Sequence, residues 1–203
     1  MMTVTYEGRN SIYVNMTNRC PCACTFCLRH NDDHVFNSAS LWLEREPTVS
    51  EVCESIDQWD LSSYDEVVFC GYGEPTERLD DLLLVAKYIK SKSNIPLRIN
   101  TNGLADLIAG EKVAHRLTGL IDTVSISLNT PSSERYDELC LPKFGGAHGA
   151  LIVFAGRVRS FVPHTVLSVV RQTLTEQELE ECRRIARDAG VELKIRDYIP
   201  PEP

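Results

Sequence analysis

Residues 20–27 read Cys-Pro-Cys-Ala-Cys-Thr-Phe-Cys and follow a strand-like segment at residues 11–16. Within this run, Cys20, Cys24 and Cys27 have the spacing C-x-x-x-C-x-x-C. Full ligation of a cubane iron–sulfur cluster takes four thiolates. Three thiolates on one short loop can therefore hold such a cluster and leave one iron without a protein ligand, as catalytic metal sites leave one position open. The sequence predicts a cluster that binds a small molecule at this iron.

A zinc site is the alternative interpretation of the same loop. Cys24 and Cys27 are followed by His30 and His34, and cysteine and histidine are both zinc ligands. Zinc fingers, however, separate their two ligand pairs by about 12 residues, whereas two residues separate Cys27 from His30. Cys22 lies between two predicted ligands, and we expect its side chain to point away from the cluster. A four-cysteine site is the remaining alternative.

Composition and charge limit the class of protein. Of the 203 residues, 43% are apolar and 25% are charged, which is typical of a folded globular chain, and we expect residues 1–203 to form one domain. The net charge of −8 argues against a membrane-binding face or a broad nucleic-acid surface. No signal segment or membrane-spanning run is visible, so we expect a cytoplasmic protein. Eight cysteines then favour reduced thiols or metal ligands over disulfides.

Strand-like and helix-like segments alternate along the chain. Start and stop signals mark several helices, such as Thr48-x-x-Glu51, Thr130-Pro131 and Thr175-x-x-Glu178 at helix starts and Gly190 at a helix end. The predicted strands are residues 11–16, 66–70, 97–101, 123–128, 165–170 and 191–195. Helices are predicted from about residue 48, over 79–91 and 111–118, after Thr130, over 150–154 and from Thr175 to Gly190. This order predicts an α/β fold with a parallel sheet and helices outside it.

The motifs whose residues can bind ligands or take part in catalysis all follow predicted strands. In parallel α/β folds, ligands bind at the carboxyl ends of the strands. After strands one to five come, in order, the cysteine loop, Gly73-Glu74-Pro75, residues 100–103, the pair Ser127 and Asn129, and Arg171. The sequence therefore predicts that motifs spread from Cys20 to Arg171 meet on one rim of the sheet.

Residues 17–27, with the aromatic Phe26 before the last cysteine, resemble the signature of the radical S-adenosylmethionine (SAM) superfamily. The resemblance implies a partial (β/α)6 barrel and a [4Fe-4S] cluster held by Cys20, Cys24 and Cys27. It also implies that the open iron chelates the amino and carboxylate groups of SAM. One-electron reduction, from a donor such as flavodoxin or ferredoxin, then cleaves the S–C5′ bond. The 5′-deoxyadenosyl radical that is released abstracts hydrogen from a substrate.

The resemblance also implies residues that bind SAM. Residues 71–75 are similar to the G-G-E-P turn of the superfamily, with Tyr72 in place of the first glycine. The backbone of Tyr72 and Gly73 and the Glu74 carboxylate can accept hydrogen bonds from the SAM ammonium group. Three polar residues match positions that contact the ribose hydroxyls and the amino-acid part of SAM, although turn chemistry and helix capping are the alternative roles: Asn100, Ser127 and Asn129.

Several further residues carry open alternatives. Arg171 can pair with the SAM carboxylate, with a substrate carboxylate or phosphate, or with an acidic residue of the fold. Phe26 is expected to pack over the cluster or near adenine, with a core role as the alternative. Tyr198 occupies an adenine-side position by resemblance. Cys140 can return a hydrogen atom to a substrate radical if it lies near the rim, and a core role is its alternative.

The connection between Cys27 and Thr48 is long for a loop without a function. Its apolar residues 41–43 are expected to fold back and cover the cluster or gate a substrate. Cys53, Cys70 and Cys182 fall on apolar helix faces or in a buried strand, and we expect them to serve as core residues.

The whole chain resembles a small radical SAM group that is named for its genetic association with TatD-type nucleases, which implies a pathway link to such a nuclease. We predict a SAM-cleaving enzyme that acts on a small-molecule substrate. The nearest alternative is an activating enzyme that places a glycyl radical on a partner protein. A non-catalytic zinc or iron–sulfur protein with a redox-sensing role is the alternative of a different class.

Overall fold

The computed structural model describes residues 2–30, 36 and 38–197. In this part of the chain, seven strands form one sheet in the order β1 to β7. β1 and β2 form an antiparallel hairpin, and every later neighbouring pair is parallel. The strands are β1 Thr5–Gly8, β2 Ser11–Val14, β3 Glu66–Phe69, β4 Leu97–Thr101, β5 Thr123–Ser127, β6 His164–Val170 and β7 Glu192–Arg196. The predicted α/β fold with a parallel sheet is confirmed.

Six α-helices lie between the strands of the described chain. They are α1 Val49–Ile56, α2 Leu79–Lys92, α3 Ala105–Ala109, α4 Ser133–Cys140, α5 Ala147–Val158 and α6 Glu176–Ala189. The predicted capping boxes are present: Thr48 with Glu51 begins α1, and Thr175 with Glu178 begins α6. Gly190 ends α6 in the left-handed conformation, as its position after the last apolar turn predicts.

Strand β1 is an element that the sequence did not predict. Arg9 and Asn10 connect it to β2 in the left-handed conformation, with φ of 46° and 61°. Two-residue hairpin turns favour this conformation, but their usual sequence signal is a glycine, which is absent here. The six predicted strands therefore correspond to β2–β7, and β1 adds an antiparallel edge to the sheet.

Two helix predictions also need correction. The helix predicted over residues 111–118 is instead the earlier α3, which ends at left-handed Gly110, followed by a 3-10 turn at Ala114–Leu117. Helix α4 is capped by Ser132, whose hydroxyl accepts the Arg135 N–H, and not by Thr130. The Thr130 hydroxyl instead accepts the Ser132 N–H at 3.3 Å in the preceding turn.

The two faces of the sheet have opposite character, because side chains alternate between the faces along each strand. The face against the helices is apolar and belongs to the main core; it includes Val67, Leu97, Ile99, Val124, Ile126 and Leu167. The opposite face, here called the polar face, carries Glu66, Arg98, Asn100, Ser125, Ser127 and Ser168. Paired residues on it are in register, such as Asn100 with Ser125 and Ser127 with Ser168. The fold therefore presents polar groups where helices do not cover the sheet.

A smaller apolar cluster covers one end of the polar face. Tyr6 and Tyr13 stack there with ring centroids 5.2 Å apart, and Leu41, Val68 and Tyr72 pack with them. None of the helices in the described ranges is both long and apolar enough to cross a membrane.

Candidate metal and cofactor site

The cysteine loop, residues 20–27, follows the carboxyl end of β2 and is held by a second backbone segment. This segment, residues 139–143, consists of the last two residues of α4 and the first three residues after it. The hydrogen bonds between the two are Ala23 N–H to Cys140 O at 3.0 Å, Thr25 N–H to Leu139 O at 2.9 Å and Lys143 N–H to Pro21 O at 2.7 Å. Cys22 and Pro142 also form an isolated antiparallel bridge. The loop is thus fixed by backbone pairing, which does not depend on the identity of its side chains.

The three predicted cluster ligands are free, half-buried cysteines. Hydrogen bonds with the Cys140 and Cys22 thiols lower the pKa of Cys24 to about 3. A hydrogen bond with Cys22 likewise lowers the pKa of Cys20, whereas burial raises the pKa of Cys27. Thiolates are the form that binds metal. Cys20 and Cys24 are therefore the two predicted ligands whose surroundings favour the thiolate.

From the sequence we expected the Cys22 side chain to point away from the cluster. The structure instead places it among the other cysteines of the loop. It is 4% exposed and belongs to the main core, and its sulfur is in hydrogen-bonding contact with those of Cys20 and Cys24. Those contacts raise the pKa of the Cys22 thiol. The bridge to Pro142 fixes its backbone in this orientation. Cys22 is thus a buried thiol that lies among the predicted ligands.

A single metal ion and a cluster place different demands on the donors of this loop. Within the described ranges, no three His, Cys, Asp or Glu side chains are grouped closely enough to hold one metal ion. Zinc needs four donors at about 2.0–2.3 Å from one centre. In a cubane, each thiolate binds a different iron, so the sulfur atoms need not converge on one point. His34, which belongs to the zinc interpretation, lies outside the described residues.

The turn after β3 contacts the start of the cysteine loop. A Cβ atom on Gly73 would stand 2.2 Å from the Thr17 carbonyl oxygen and 2.6 Å from that of Arg19. The next residue, Glu74, donates its N–H to the Arg19 carbonyl at 2.8 Å. Only glycine allows this approach, so Gly73 places the turn against the loop.

The Glu74 carboxylate joins the ends of β3 and β4. It is 3% exposed; Oε1 accepts the Thr76 N–H at 3.0 Å and the Thr76 and Thr101 hydroxyls, each at 2.7 Å, and Oε2 accepts the Asn102 N–H at 2.7 Å. Burial raises the pKa of Glu74, and these hydrogen bonds oppose that shift. Four hydrogen bonds thus hold the buried carboxylate between the two strand ends, which gives Glu74 a structural role in the turn.

Asn102 contacts the cysteines, although the sequence identified it only as part of a strand end. Its Nδ2 lies 3.9 Å from the Sγ atoms of both Cys20 and Cys22. The sequence feature that could have indicated this contact is the position of Asn102 directly after β4, at the carboxyl edge of the sheet.

Asn100 lies on the polar face, farther from the cysteine loop than Asn102. Its Oδ1 accepts a hydrogen bond from Arg98 Nη1 at 3.1 Å. Arg98 also makes a two-pronged ion pair with Glu66 at 2.6 and 3.0 Å. Ser127 is a half-buried residue of the same face, at the carboxyl end of β5. The structure thus brings Asn100 and Ser127 to one surface, with Asn100 already partnered.

Asn129 and Cys140 are brought together at the back of the cysteine loop. The Asn129 Nδ2 donates to Cys140 Sγ at 3.3 Å. Cys140 is 1% exposed and lies in the main core. This placement matches the core alternative and not that of a thiol facing a substrate, and it adds a contact that the sequence did not predict.

The remaining predicted site residues differ in their surroundings. Arg171 begins a 3-10 turn after β6 and forms an ion pair with Glu176, which is one of the alternatives that the sequence left open. Phe26 is 39% exposed on the cysteine loop, so it has no core role. Tyr198 lies outside the described residues. Cys182 is fully buried on α6, as expected for a core cysteine.

Tyr72 anchors the long connection after the cysteine loop. Its ring packs edge-on against that of Trp42, with the ring centroids 5.2 Å apart. Leu41 and Leu43, on either side of Trp42, are 1% and 6% exposed. The Asn18 side chain holds the Leu43 backbone with two hydrogen bonds, at 2.8 and 3.1 Å. Residues 41–43 therefore fold back against Asn18 and Tyr72, as predicted, whereas their covering of a cluster or gating of a substrate stays a prediction.

Comparison with known proteins identifies relatives of the chain. The family model of the radical SAM superfamily matches residues 14–199. A probable GTP 3′,8-cyclase from Methanocaldococcus jannaschii is 23% identical over 191 residues, a match that covers 94% of this chain and 59% of the cyclase. The chain therefore spans about three-fifths of the length of this curated relative.

Solved structures share the fold at low sequence identity. A radical SAM methyltransferase from Sphaerobacter thermophilus superposes with a TM-score of 0.68 at 14% identity, covering 95% of this chain and 68% of that one. SuiB from Streptococcus suis, bound to the precursor peptide SuiA, gives 0.67 at 16% identity, covering 92% and 39%. SuiB bound to S-adenosylmethionine gives 0.64 at 16% identity, covering 92% and 38%. These neighbours are radical SAM enzymes with a partial barrel core.

Proposed function

The chain belongs to the radical SAM superfamily, whose members are enzymes, and we propose that it uses a [4Fe-4S] cluster to cleave SAM and to abstract hydrogen from a small-molecule substrate. The observation that carries this proposal is the set of three half-buried cysteines on one loop, which backbone pairing holds at the carboxyl edge of a parallel sheet. When bound, the reduced cluster supplies the electron that breaks the S–C5′ bond of SAM.

We assign Cys20, Cys24 and Cys27 as the cluster ligands. Their spacing on a loop between the Gly73 turn and residues 139–143 supports the assignment, as do the lowered pKa values of Cys20 and Cys24. Three ligands leave one iron for SAM. Cys22 supports its neighbours as a hydrogen-bonding thiol and is not a ligand in this proposal.

The proposed SAM contacts come from the turn after β3 and from the polar face. The backbone of Tyr72 and Gly73 receives the SAM ammonium group, while Glu74 holds the turn in place through its bonds to β4. Ser127 faces the same side of the sheet and suits a ribose hydroxyl or the amino-acid part of SAM. Phe26, half exposed beside Cys27, is available to cover the cluster or the adenine ring.

Three other predicted SAM residues already have partners, which changes the proposed roles. Asn100 accepts a hydrogen bond from Arg98, so we propose that it contacts SAM while it keeps this bond. Asn129 acts on Cys140, and Arg171 must exchange Glu176 for a ligand carboxylate before it can bind one. We therefore rank Asn129 and Arg171 below the turn and Ser127 as direct contacts.

The substrate we propose is small and polar. The polar face offers the Arg98–Glu66 pair and several serine hydroxyls, and these groups suit hydrogen-bonded recognition of a polar molecule. Trp42, packed on Tyr72 and 39% exposed, lies at the border of this region. Residues 41–43 are accordingly proposed as the wall of the substrate entrance.

The cellular setting of the protein, its subgroup and its domain organisation are also part of the proposed function. We propose that the chain belongs to the TatD-associated radical SAM group, with a link to a TatD-type nuclease pathway, on the sequence resemblance alone. A cytoplasmic setting with flavodoxin or ferredoxin as electron donor suits eight free cysteines and an oxygen-sensitive cluster. Residues 1–203 are proposed to act as one domain, since one sheet organises the described chain.

Anaerobic reconstitution tests the proposed function. We expect iron and sulfide at about four each per chain, and 5′-deoxyadenosine that forms only with SAM and a reductant. Bound zinc without SAM cleavage would support the non-catalytic alternative instead. Deuterium that moves into 5′-deoxyadenosine from a labelled partner polypeptide, and not from a labelled metabolite, would support the glycyl-radical activating enzyme.

A further inference from the structure

Strand β7 places two cations on the polar face of the sheet. Side chains alternate between the two faces along a strand, and Leu193 of β7 packs against the main core. Lys194 and Arg196 therefore lie on the opposite, polar face, and both are accessible to solvent. Lys194 is in register with Ser168 of β6, another residue of this face. The β7 side of the polar face thus carries two positive charges that a ligand can reach.

Neither cation has an acidic partner among the residues that the structure describes. Glu192 precedes Lys194 by two residues, but no ion pair joins their side chains. Asp197 follows Arg196 and instead accepts a hydrogen bond from Gln172 at 3.4 Å. The described part of the fold therefore leaves both positive charges of β7 unbalanced.

Arg98 shows the different state of a cation on the same face that the fold does balance. Its guanidinium forms an ion pair with Glu66 at 2.6 Å. The pKa of Arg196, in contrast, is lowered, because neighbouring protein atoms partly desolvate its guanidinium and because Arg98 and Arg9 add positive charge. An anion from outside the chain would stabilise a cation in such surroundings.

The two cations are close to the proposed position of SAM. Ser127, Ser168 and Lys194 form one row across β5, β6 and β7. Neighbouring strands are about 4.8 Å apart, so the Cα atoms of Ser127 and Lys194 are roughly 10 Å apart. Arg196 lies about 7 Å farther along β7, toward the carboxyl edge. A small molecule held by these cations can therefore reach the region of Ser127, which we propose as a SAM contact.

The two side chains complement each other chemically. An arginine guanidinium donates two parallel hydrogen bonds to a pair of oxygen atoms, and a lysine ammonium adds a compact charge with three donors. Phosphate and carboxylate groups supply the negative charge and the oxygen acceptors that this pair needs. A neutral polar molecule would leave both charges without compensation.

We propose that the substrate carries a phosphate or carboxylate group and that Lys194 and Arg196 bind this group at the β7 side of the polar face. This inference rests on the proposed function, in which the polar face receives the substrate. Charged residues on an edge strand can also serve only to prevent pairing with other chains, a role that needs no ligand. The binding of small anions separates the two roles.

The test is a titration of the anaerobically reconstituted full chain with inorganic phosphate, followed by ³¹P NMR, and with succinate, followed by ¹H NMR. Lys194→Met and Arg196→Met remove one charge each and keep an unbranched side chain. Lys87→Met and Arg184→Met are the matched controls, because they remove the same charges from exposed positions on α2 and α6. SAM binding by every variant is measured by equilibrium dialysis.

We expect wild type to bind at least one of the two anions, and the anion that binds more tightly identifies the group. Lys194→Met and Arg196→Met should each weaken this binding about tenfold, which is the size expected for losing a hydrogen bond to a charged group. Both controls should bind the anion as wild type does, and SAM affinity should be unchanged in all four variants. If one β7 variant does not fold, the other decides in the same way.

Two outcomes would overturn the inference and leave the proposed function intact, provided that the wild type still cleaves SAM. The first is that neither anion binds, or that Lys194→Met and Arg196→Met bind it as tightly as wild type. The second is that these variants weaken SAM and not the anion, which would assign the cations to the SAM carboxylate. A wild type that binds the anion but assembles no iron–sulfur cluster would overturn the proposed function, and with it the role of the anion as part of a substrate.

Discussion

The Thr17 carbonyl oxygen lies 2.2 Å from the point where a Cβ atom on Gly73 would stand. This contact joins the turn after β3 to the start of the cysteine loop, and the hydrogen bond from the Glu74 N–H to the Arg19 carbonyl continues it. The two parts of the chain that the proposed function assigns to SAM and to the cluster are therefore one packed unit.

Gly73→Ala is expected to separate these two parts. The added methyl group meets backbone oxygen atoms that cannot rotate away, and overpacking of this kind costs about 1–3 kcal/mol of folding free energy. We expect a lower midpoint of chemical denaturation and a lower iron content after reconstitution. Gly149→Ala is the control, since Gly149 lies in α5 with no atom within 4 Å of its added Cβ. A Gly73→Ala variant with wild-type stability and iron content would contradict this packing.

The cysteines of the loop are expected to differ sharply in their effects. Cys24→Ala removes a cluster ligand and should abolish the formation of 5′-deoxyadenosine from SAM. Cys22→Ala removes only a neighbouring thiol and should preserve SAM cleavage. Both are measured by chromatography after anaerobic reconstitution, with Cys182→Ala as the control. SAM cleavage that survives in Cys24→Ala would refute the assignment of ligands.

The buried Glu74 carboxylate gives a prediction about stability. Thr101→Val keeps the shape of the side chain but removes a hydroxyl that donates to Glu74 at 2.7 Å and accepts the Gly103 N–H at 3.0 Å. Hydrogen bonds to charged groups contribute about 1.5–3 kcal/mol, and we expect a loss of this size in the free energy of unfolding.

Thr165→Val is the matched substitution for Thr101→Val. Thr165 is 7% exposed, and its hydroxyl has no hydrogen-bond partner among the described residues. Replacing an unpaired buried hydroxyl by a methyl group is neutral or stabilising. Urea denaturation should therefore show that Thr101→Val lowers the free energy of unfolding and that Thr165→Val leaves it unchanged or raises it. An equal loss of unfolding free energy in both variants would be evidence against the hydrogen bond to Glu74.

Much of this arrangement follows from local sequence signals. The strands β2–β7 are apolar segments bounded by turn residues, and the capping boxes at Thr48 and Thr175 mark helix starts within a few residues. The cysteine spacing and its place after β2 locate the candidate site. The signals for β1 and α3 are weaker. The Arg9–Asn10 turn after β1 has no glycine at its two central positions, and α3 has no side-chain cap at its start, although Gly110 ends it.

The contacts behind the site could not be predicted in this way. Residues 139–143 pair with the cysteine loop, and Asn102 meets Cys20, only because the fold brings distant parts of the chain together. The direction of a side chain at a strand end is also unclear from sequence. Glu74 illustrates this, since the same motif position permits a free carboxylate or the buried, fully bonded one that the structure has.

The account depends on one iron atom that no cysteine binds, and electron–nuclear double resonance tests it most directly. The experiment uses the reduced, reconstituted chain with SAM that carries ¹⁵N in its amino group, and Cys24→Ala as the control. We predict a ¹⁵N coupling to the cluster in the wild type, which means that the amino group binds iron. An assembled cluster whose spectrum does not change when SAM is added, with no ¹⁵N coupling, would contradict the account.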